Sequence, residues 1–252
     1  MKTSVLGTFG ASVLLAISVS ACGGPAAPQA ADSSPAAAQT TTPVPTPTAT
    51  PTPTPTAKAY TAEELAAIVG QVRDAADRRL SVLPTGDIAS TLEQTKSMLA
   101  SIDVKPAECK ELAAASTVPS VDGAAMAVGM STDNGTGAVT ALSLVAGLDQ
   151  SFLAKVTDSP EQLAKCPSMT MTASGMEIAV TVQAVPGVSS VPGAVAYRTD
   201  STLPDGRTQS TVTAQAVRQG VVLTSVASGG ASETDAVQRA GALMDAAAAL
   251  IK

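Results

Sequence analysis

Histidine and tryptophan are absent from this 252-residue chain, and aromatic residues make up only 2% of it. Without imidazole there is no Ser-His-Asp or Cys-His nucleophile pair and no histidine-ligated metal. So few rings leave no stacking platform for bases. A formal charge of -6, from 15 Lys+Arg against 21 Asp+Glu, leaves no patch to neutralise phosphates. Nucleic acid is therefore excluded as a partner. No P-loop, no GxGxxG after a strand, no GxSxG and no acidic calcium loop occurs. No carboxylate spacing singles out an acid–base pair either. The expectation is no cofactor, no metal and no catalysis. Charged residues are scarce at 14%, whereas apolar ones reach 45%, enough to build a core.

What is present begins with an address. Met1-Lys2 carries a single positive charge, and an apolar run extends from Val5 through Leu14, Leu15 and Ile17 to Val19. A charged start, a short hydrophobic stretch and small terminal residues form an export-signal pattern. Val19-Ser20-Ala21 then directly precedes Cys22 and Gly23-Gly24, which resembles the lipobox of bacterial lipoproteins. That resemblance implies removal of a leader over 1–21 and a diacylglyceryl group on Cys22. The mature chain would then sit on the extracytoplasmic face of the cell membrane. Two acyl chains anchor stably at about 0.8 kcal/mol per buried CH₂. The alternatives are a plain secretory leader, which leaves Cys22 as an unpaired exported thiol, and an uncleaved membrane helix, which Gly7, Gly10 and several Ser and Thr weaken.

Residues 22–58 show no apolar periodicity and run through Thr-Pro pairs as far as Thr56. Proline lacks an N–H donor and drives the preceding residue to extended geometry. A disordered, polyproline-II-like Pro/Thr-rich linker is expected, reaching on the order of 100 Å if fully extended. A stalk, with or without O-glycosylation, and simple filler predict the same disorder.

The folded domain is expected over 59–252. Thr61 and Glu64 have capping-box spacing. Leu65, Ile68, Val69, Val72, Ala76 and Leu80 then recur at helical intervals, so one helix is expected as far as Leu80. Asp74, Asp77, Arg78 and Arg79 would form its solvated face. Further helices are expected over 87–102, 107–115 and 149–165, and from Ser232 to the end. After Val121 the period becomes two-fold, giving strands over 124–131, 138–146, 168–173, 176–184, 194–200, 208–216 and 221–227. Asn134-Gly135, Ser174-Gly175, Asp205-Gly206 and Gln219-Gly220 supply the turns. Met176, Ile178, Val180 and Val182 alternate with polar or small residues, the pattern of an antiparallel sheet with one wet face. The fold class is α+β, with an antiparallel β-sheet and helices packed on one face.

With Cys22 acylated, Cys109 and Cys166 remain as an even pair, which reads as a disulfide in an exported chain. Two buried thiols are the alternative, and no CxxC spacing suggests redox chemistry. Around these cysteines, Val104-Lys105-Pro106-Ala107-Glu108-Cys109 and Leu163-Ala164-Lys165-Cys166 resemble the extracellular sensor-type domain of actinobacterial envelope lipoproteins and membrane Ser/Thr kinases. The strand Ala214–Leu223 fits the same pattern. The resemblance implies a sheet with helices, a cleft for an unidentified ligand and no catalysis.

Candidate binding residues are few. Arg198 beside Tyr197, together with Glu177 and Arg218, places charge on predicted strands, where solubility explains them as well as binding does. Met126 and Met130 share one strand face, as do Met169 and Met171, and Met176 opens the next strand. Filling of an irregular core is one reading of these methionines. A deformable apolar groove is the other. The functional expectation is a membrane-anchored envelope lipoprotein whose domain binds a ligand, envelope lipid or partner protein. The alternative is a lipid or glycolipid carrier.

Overall fold

The two-fold alternation in the second half of the chain builds a nine-stranded antiparallel sheet in the computed structural model, which describes residues 58–110, 123–157, 164–173 and 175–252. The leader, Cys22 and most of the linker lie outside the described residues, as do positions 111–115 and 158–163 of two expected helices. The strands are β1 (Ser81–Val82), β2 (Asp103–Lys105), β3 (Ala125–Asp133), β4 (Ala138–Ala146), β5 (Ser168–Ala173), β6 (Met176–Ala184), β7 (Val195–Thr202), β8 (Thr208–Arg218) and β9 (Val221–Ser228). Their spatial order is β1-β3-β4-β9-β8-β7-β6-β5-β2. Four longer helices accompany them: α1 (Ala62–Gln71), α2 (Thr85–Ser101), α3 (Gln150–Thr157) and α4 (Glu233–Leu250).

The α+β architecture is as expected, but the helices occupy both faces of the sheet. Alternation along each strand sends odd and even positions to opposite sides. On one side Leu142 and Leu144 of β4, Ala214 and Ala216 of β8 and Leu223 of β9 pack with Leu65 and Val69 of α1 and Leu243, Met244 and Ala247 of α4. On the other side Val145 and Val222 meet Phe152, Leu153 and Val156 of α3. Leu99 at the end of α2, and Ile102 after it, pack on that second side with Met169, Met171 and Val180. The one-face expectation fails because α2 and α3 each carry their own apolar stripe, and the first face is already filled by α1 and α4.

The first face is sealed by close approach. Ser225 Oγ donates to the carbonyl of Ala240 at 2.8 Å, so α4 lies low on β9. A Cβ at Gly241 would collide with the carbonyl oxygen of Val188, and one at Gly129 with the Val69 side chain. The loop over 185–194 straps α4 from outside: Ser189 Oγ and the Ser190 N–H donate to Asp245 Oδ1 at 2.6 and 2.9 Å. Arg239, buried on α4, donates to the carbonyls of Val139, Ser228 and Gly229 at 3.1, 3.2 and 2.5 Å.

Thr61 and Glu64 form the expected reciprocal cap, and Ser232 Oγ caps α4 through the Asp235 N–H. The helix expected as far as Leu80 ends at Gln71 instead. The reason is Asp74. Only 6% exposed, its carboxylate accepts from the N–H groups of Ala76 and Arg78, each at 2.9 Å, from Arg78 Nε at 2.8 Å and from Ser131 Oγ at 2.5 Å. A side chain that satisfies local N–H groups offers the backbone an alternative to helix. Asp74, Asp77, Arg78 and Arg79 are therefore a compact turn, with Asp77 at φ 60, not a solvated helix face. Burial pushes the Asp74 carboxyl up, yet these hydrogen bonds outweigh it and hold it below the ordinary carboxylate range.

Gln219 and Gly220 adopt φ 51 and 75, the two-residue hairpin expected there. The β3–β4 turn is longer than Asn134-Gly135 suggests. Four residues connect the strands, Asp133 Oδ1 accepts from the Gly135 and Thr136 N–H groups, and Gly137 takes the positive φ of 69.

Candidate ligand face of the sheet

The pairing register assigns every strand residue to a side. Leu144 of β4 faces α4, and its partner on β9 is Leu223, which pairs with Ala216 of β8. Following the register across the sheet puts Asp103, Lys105, Asp133, Glu177, Arg198, Asp200 and Arg218 on this same side. These are all the charged residues in the strands. Arg198 is paired with Asp200 at 2.7 Å and with Glu233, and Arg218 Nε donates to the carbonyl of Ile251 at 3.2 Å. Two of the charges considered for binding thus fasten α4 or its flanks.

The opposite side carries no charge on any strand. Its centre consists of Tyr197 and Thr199 on β7, Thr211, Thr213 and Gln215 on β8, and Thr224 and Val226 on β9. Tyr197, Thr213, Gln215 and Thr224 are buried, whereas Thr199, Thr211 and Val226 are half-buried. Gln215 Nε2 donates to Thr224 Oγ1 across a long 3.5 Å, and among the described residues Gln215 Oε1 has no hydrogen-bond donor. Such an unmade bond to a buried amide costs about 1–3 kcal/mol.

Methionine frames this neutral centre. Met126 and Met130 of β3 pair with Val145 and Ala141 and so share the uncharged side. Met169 and Met171 of β5 and Met176 of β6 share it too, at the other end of the sheet. The two expected pairs and the fifth methionine therefore lie on one face, but in two groups separated by β4, β9, β8 and β7. Met171 is core. Met126 and Met169 are half-buried and pack against apolar clusters, Met130 is half-buried, and Met176 is 56% exposed.

α2 crosses this face. It begins beside β3, where the Leu83 N–H donates to Val128 O at 2.8 Å, and ends with Leu99 on β5 and β6. Its seventeen residues span about 25 Å, against about 29 Å for the six strand spacings from β3 to β5. The match is what lets a single helix link the two sheet edges. Its buried residues, Ile88, Leu92 and Thr95, are as uncharged as the strands beneath; half-buried Thr91, Lys96 and Leu99 flank them, with Lys96 paired to Glu93 at 2.9 Å. Beside its far end, Cys109 and Cys166 stand at disulfide distance, with sulfurs 2.00 Å apart and both residues buried.

Sequence reading missed the central row. Thr211-Val212-Thr213-Ala214-Gln215 alternates polar with apolar, which normally assigns the polar side to water. Here both sides are covered. Only the lack of any charge among Tyr197, Thr199, Thr211, Thr213 and Gln215 signalled the difference. Among the described residues no group of three Asp, Glu, His or Cys could hold a metal, and no helix is long and apolar enough to cross a membrane.

No protein-family model matches the chain, and no curated protein does. Among solved structures, the extracellular domain of PknH from Mycobacterium tuberculosis is similar at 14% identity and a TM-score of 0.46, covering 76% of this chain and 98% of that one. An uncharacterized protein from Mycobacterium smegmatis is similar at 15% identity and a TM-score of 0.38, covering 60% of this chain and 76% of that one.

Proposed function

We propose that the chain is a non-catalytic binding protein of the cell envelope, held to the membrane by a diacylglyceryl group on Cys22, with the uncharged face of its sheet as the ligand site. The observation that carries this reading is the asymmetry of the sheet. All strand charges lie on the side of α1 and α4, while the opposite side is a half-buried neutral layer crossed by one helix. Concave, mainly apolar sites with a few placed polar groups are the usual form of small-molecule sites. A lipid or glycolipid carrier is the second reading, favoured by the methionines at both ends of that layer, since Met adapts to irregular apolar ligands.

Purification of the intact chain from its own envelope, followed by native mass spectrometry, tests the site. The expected result is a co-purifying non-peptide mass that is lost when Thr213→Lys places a charge in the layer. A chain that carries nothing from its envelope and gains no thermal stability from envelope extracts would overturn it. For the anchor, Cys22→Ala is expected to abolish detergent-phase partitioning, and a variant that still partitions would remove Cys22 from the account.

A further inference from the structure

We infer that the neutral face takes an uncharged, hydroxyl-bearing amphiphile, with a ligand hydroxyl donating to Gln215 Oε1 and its apolar part lying along one of the two methionine groups. The inference rests on the binding role proposed above and specifies the chemistry of the ligand.

Three observations carry it. First, Gln215 is 1% exposed and its amide oxygen has no donor among the described residues, while Nε2 reaches Thr224 Oγ1 at only 3.5 Å. A buried amide oxygen accepts and cannot donate, so its partner must bring an N–H or O–H. Second, the flanking groups at the centre are the hydroxyls of Thr213 and Thr224, which donate or accept as needed and suit a polyhydroxylated partner. Third, neither the strands of this face nor the buried Ile88, Leu92 and Thr95 of α2 offer a counter-charge, and half-buried Lys96 beside them is held by Glu93 at 2.9 Å. An ion brought into that layer would be stripped of water without compensation. The polar centre excludes a purely aliphatic ligand and the missing charges exclude an ionic one. The apolar ends, Met126 and Met130 on one side and Met169 and Met171 on the other, extend contact beyond the headgroup.

The test uses the full chain in zwitterionic phospholipid nanodiscs, with hexyl glucoside, methyl glucoside, hexyl sulfate and hexylammonium as probes, read by saturation-transfer NMR and calorimetry. Hexyl glucoside is expected to bind, methyl glucoside about tenfold more weakly, and the two ions not at all. Equal binding of both glucosides would show a free-sugar site and overturn the amphiphile. Binding of hexyl sulfate or hexylammonium as tight as that of the glucoside would overturn the neutral ligand. Gln215→Met is expected to weaken hexyl glucoside at least about tenfold without lowering the melting temperature, because it removes an acceptor that has no donor among the described residues. Gln215→Glu, close in shape, should abolish binding. Unchanged affinity in both variants would overturn the role of Gln215. Raising salt from about 0.1 M to about 1 M, which shortens the screening length from about 10 to about 3 Å, should leave affinity unchanged. If no probe binds but an envelope compound still co-purifies, the inference fails while the binding reading stands. If neither occurs, both fail.

Discussion

The two faces of the sheet are built to opposite standards. On the side of α1 and α4, small residues let helices touch the strands: Gly129 under Val69, Ser225 under Ala240, and Gly241 under the strap at Val188. The leucines there are completely buried. On the other side α3 packs on Val145 and Val222, but α2 lies over flexible or polar side chains, and many positions stay half-exposed. Dense packing fixes a single arrangement, while an interlayer of Met and Thr leaves room for something to enter. Charge follows the same division. Ion pairs decorate the packed side, where they tie α4 in place, and the looser side has none on its strands. One face holds the fold together, and the other is neutral and more loosely covered.

The contrast can be broken or sharpened by experiment. Replacing Cys109 and Cys166 together with Ala should have the largest effect. A cross-link spanning 57 residues restricts the unfolded chain by about 4 kcal/mol in the chain-entropy model. Urea unfolding with and without reductant reads this directly, and immediate alkylation of both thiols in the native protein would show that the bond is not formed. Next comes a matched pair of truncations. Leu144→Ala on the sealed face should cost about 3 kcal/mol, and Met130→Ala on the neutral face about 1 kcal/mol or less. Equal losses would erase the proposed difference between the faces.

Asp74→Asn should cost about 2 kcal/mol, since it weakens one charge-assisted network in which the arginine is partly solvated. The pH dependence has a fixed sign. A carboxyl whose folded pKa lies below its unfolded one adds stability above the unfolded value, and that stability is lost as pH falls toward the folded value. Acid titration should therefore destabilise the native protein more than Asp74→Asn in the region below the ordinary carboxylate range. Parallel profiles would remove Asp74 as the cause. Gly241→Ala should cost about 1–3 kcal/mol in urea unfolding, because the added methyl meets the backbone carbonyl of Val188 and the strap must move off α4.

Much of the sheet was legible in the residues. Strands 138–146, 168–173 and 176–184 match β4, β5 and β6, because strict alternation leaves only one register with a dry side. Turn chemistry located Gln219-Gly220, and side-chain oxygens located the starts of α1 and α4. Four features escaped. Asp74 ends α1 through a hydroxyl on Ser131, far away in sequence, which local periodicity cannot anticipate. The side taken by α2 and α3 depends on which face the terminal helix claims. The methionines were recognised in pairs, but their gathering on one face follows from register across strands that lie between them. Gln215 and Thr213 look solvent-facing by pattern because polarity alone does not reveal a helix passing overhead.

Tyr60 has a consequence for how the domain may be rewired. Its hydroxyl donates to the carbonyl of Lys252 at 2.7 Å and accepts from the N–H of the same residue at 3.0 Å, so the chain enters the fold beside the place where it leaves. A short glycine–serine splice between these neighbours, with new termini opened at the exposed Asp205-Gly206 hairpin, would give a circular permutant with the same strand order. The new termini would then lie at the tip of β7 and β8, at the opposite end of these strands from Tyr60 and Lys252.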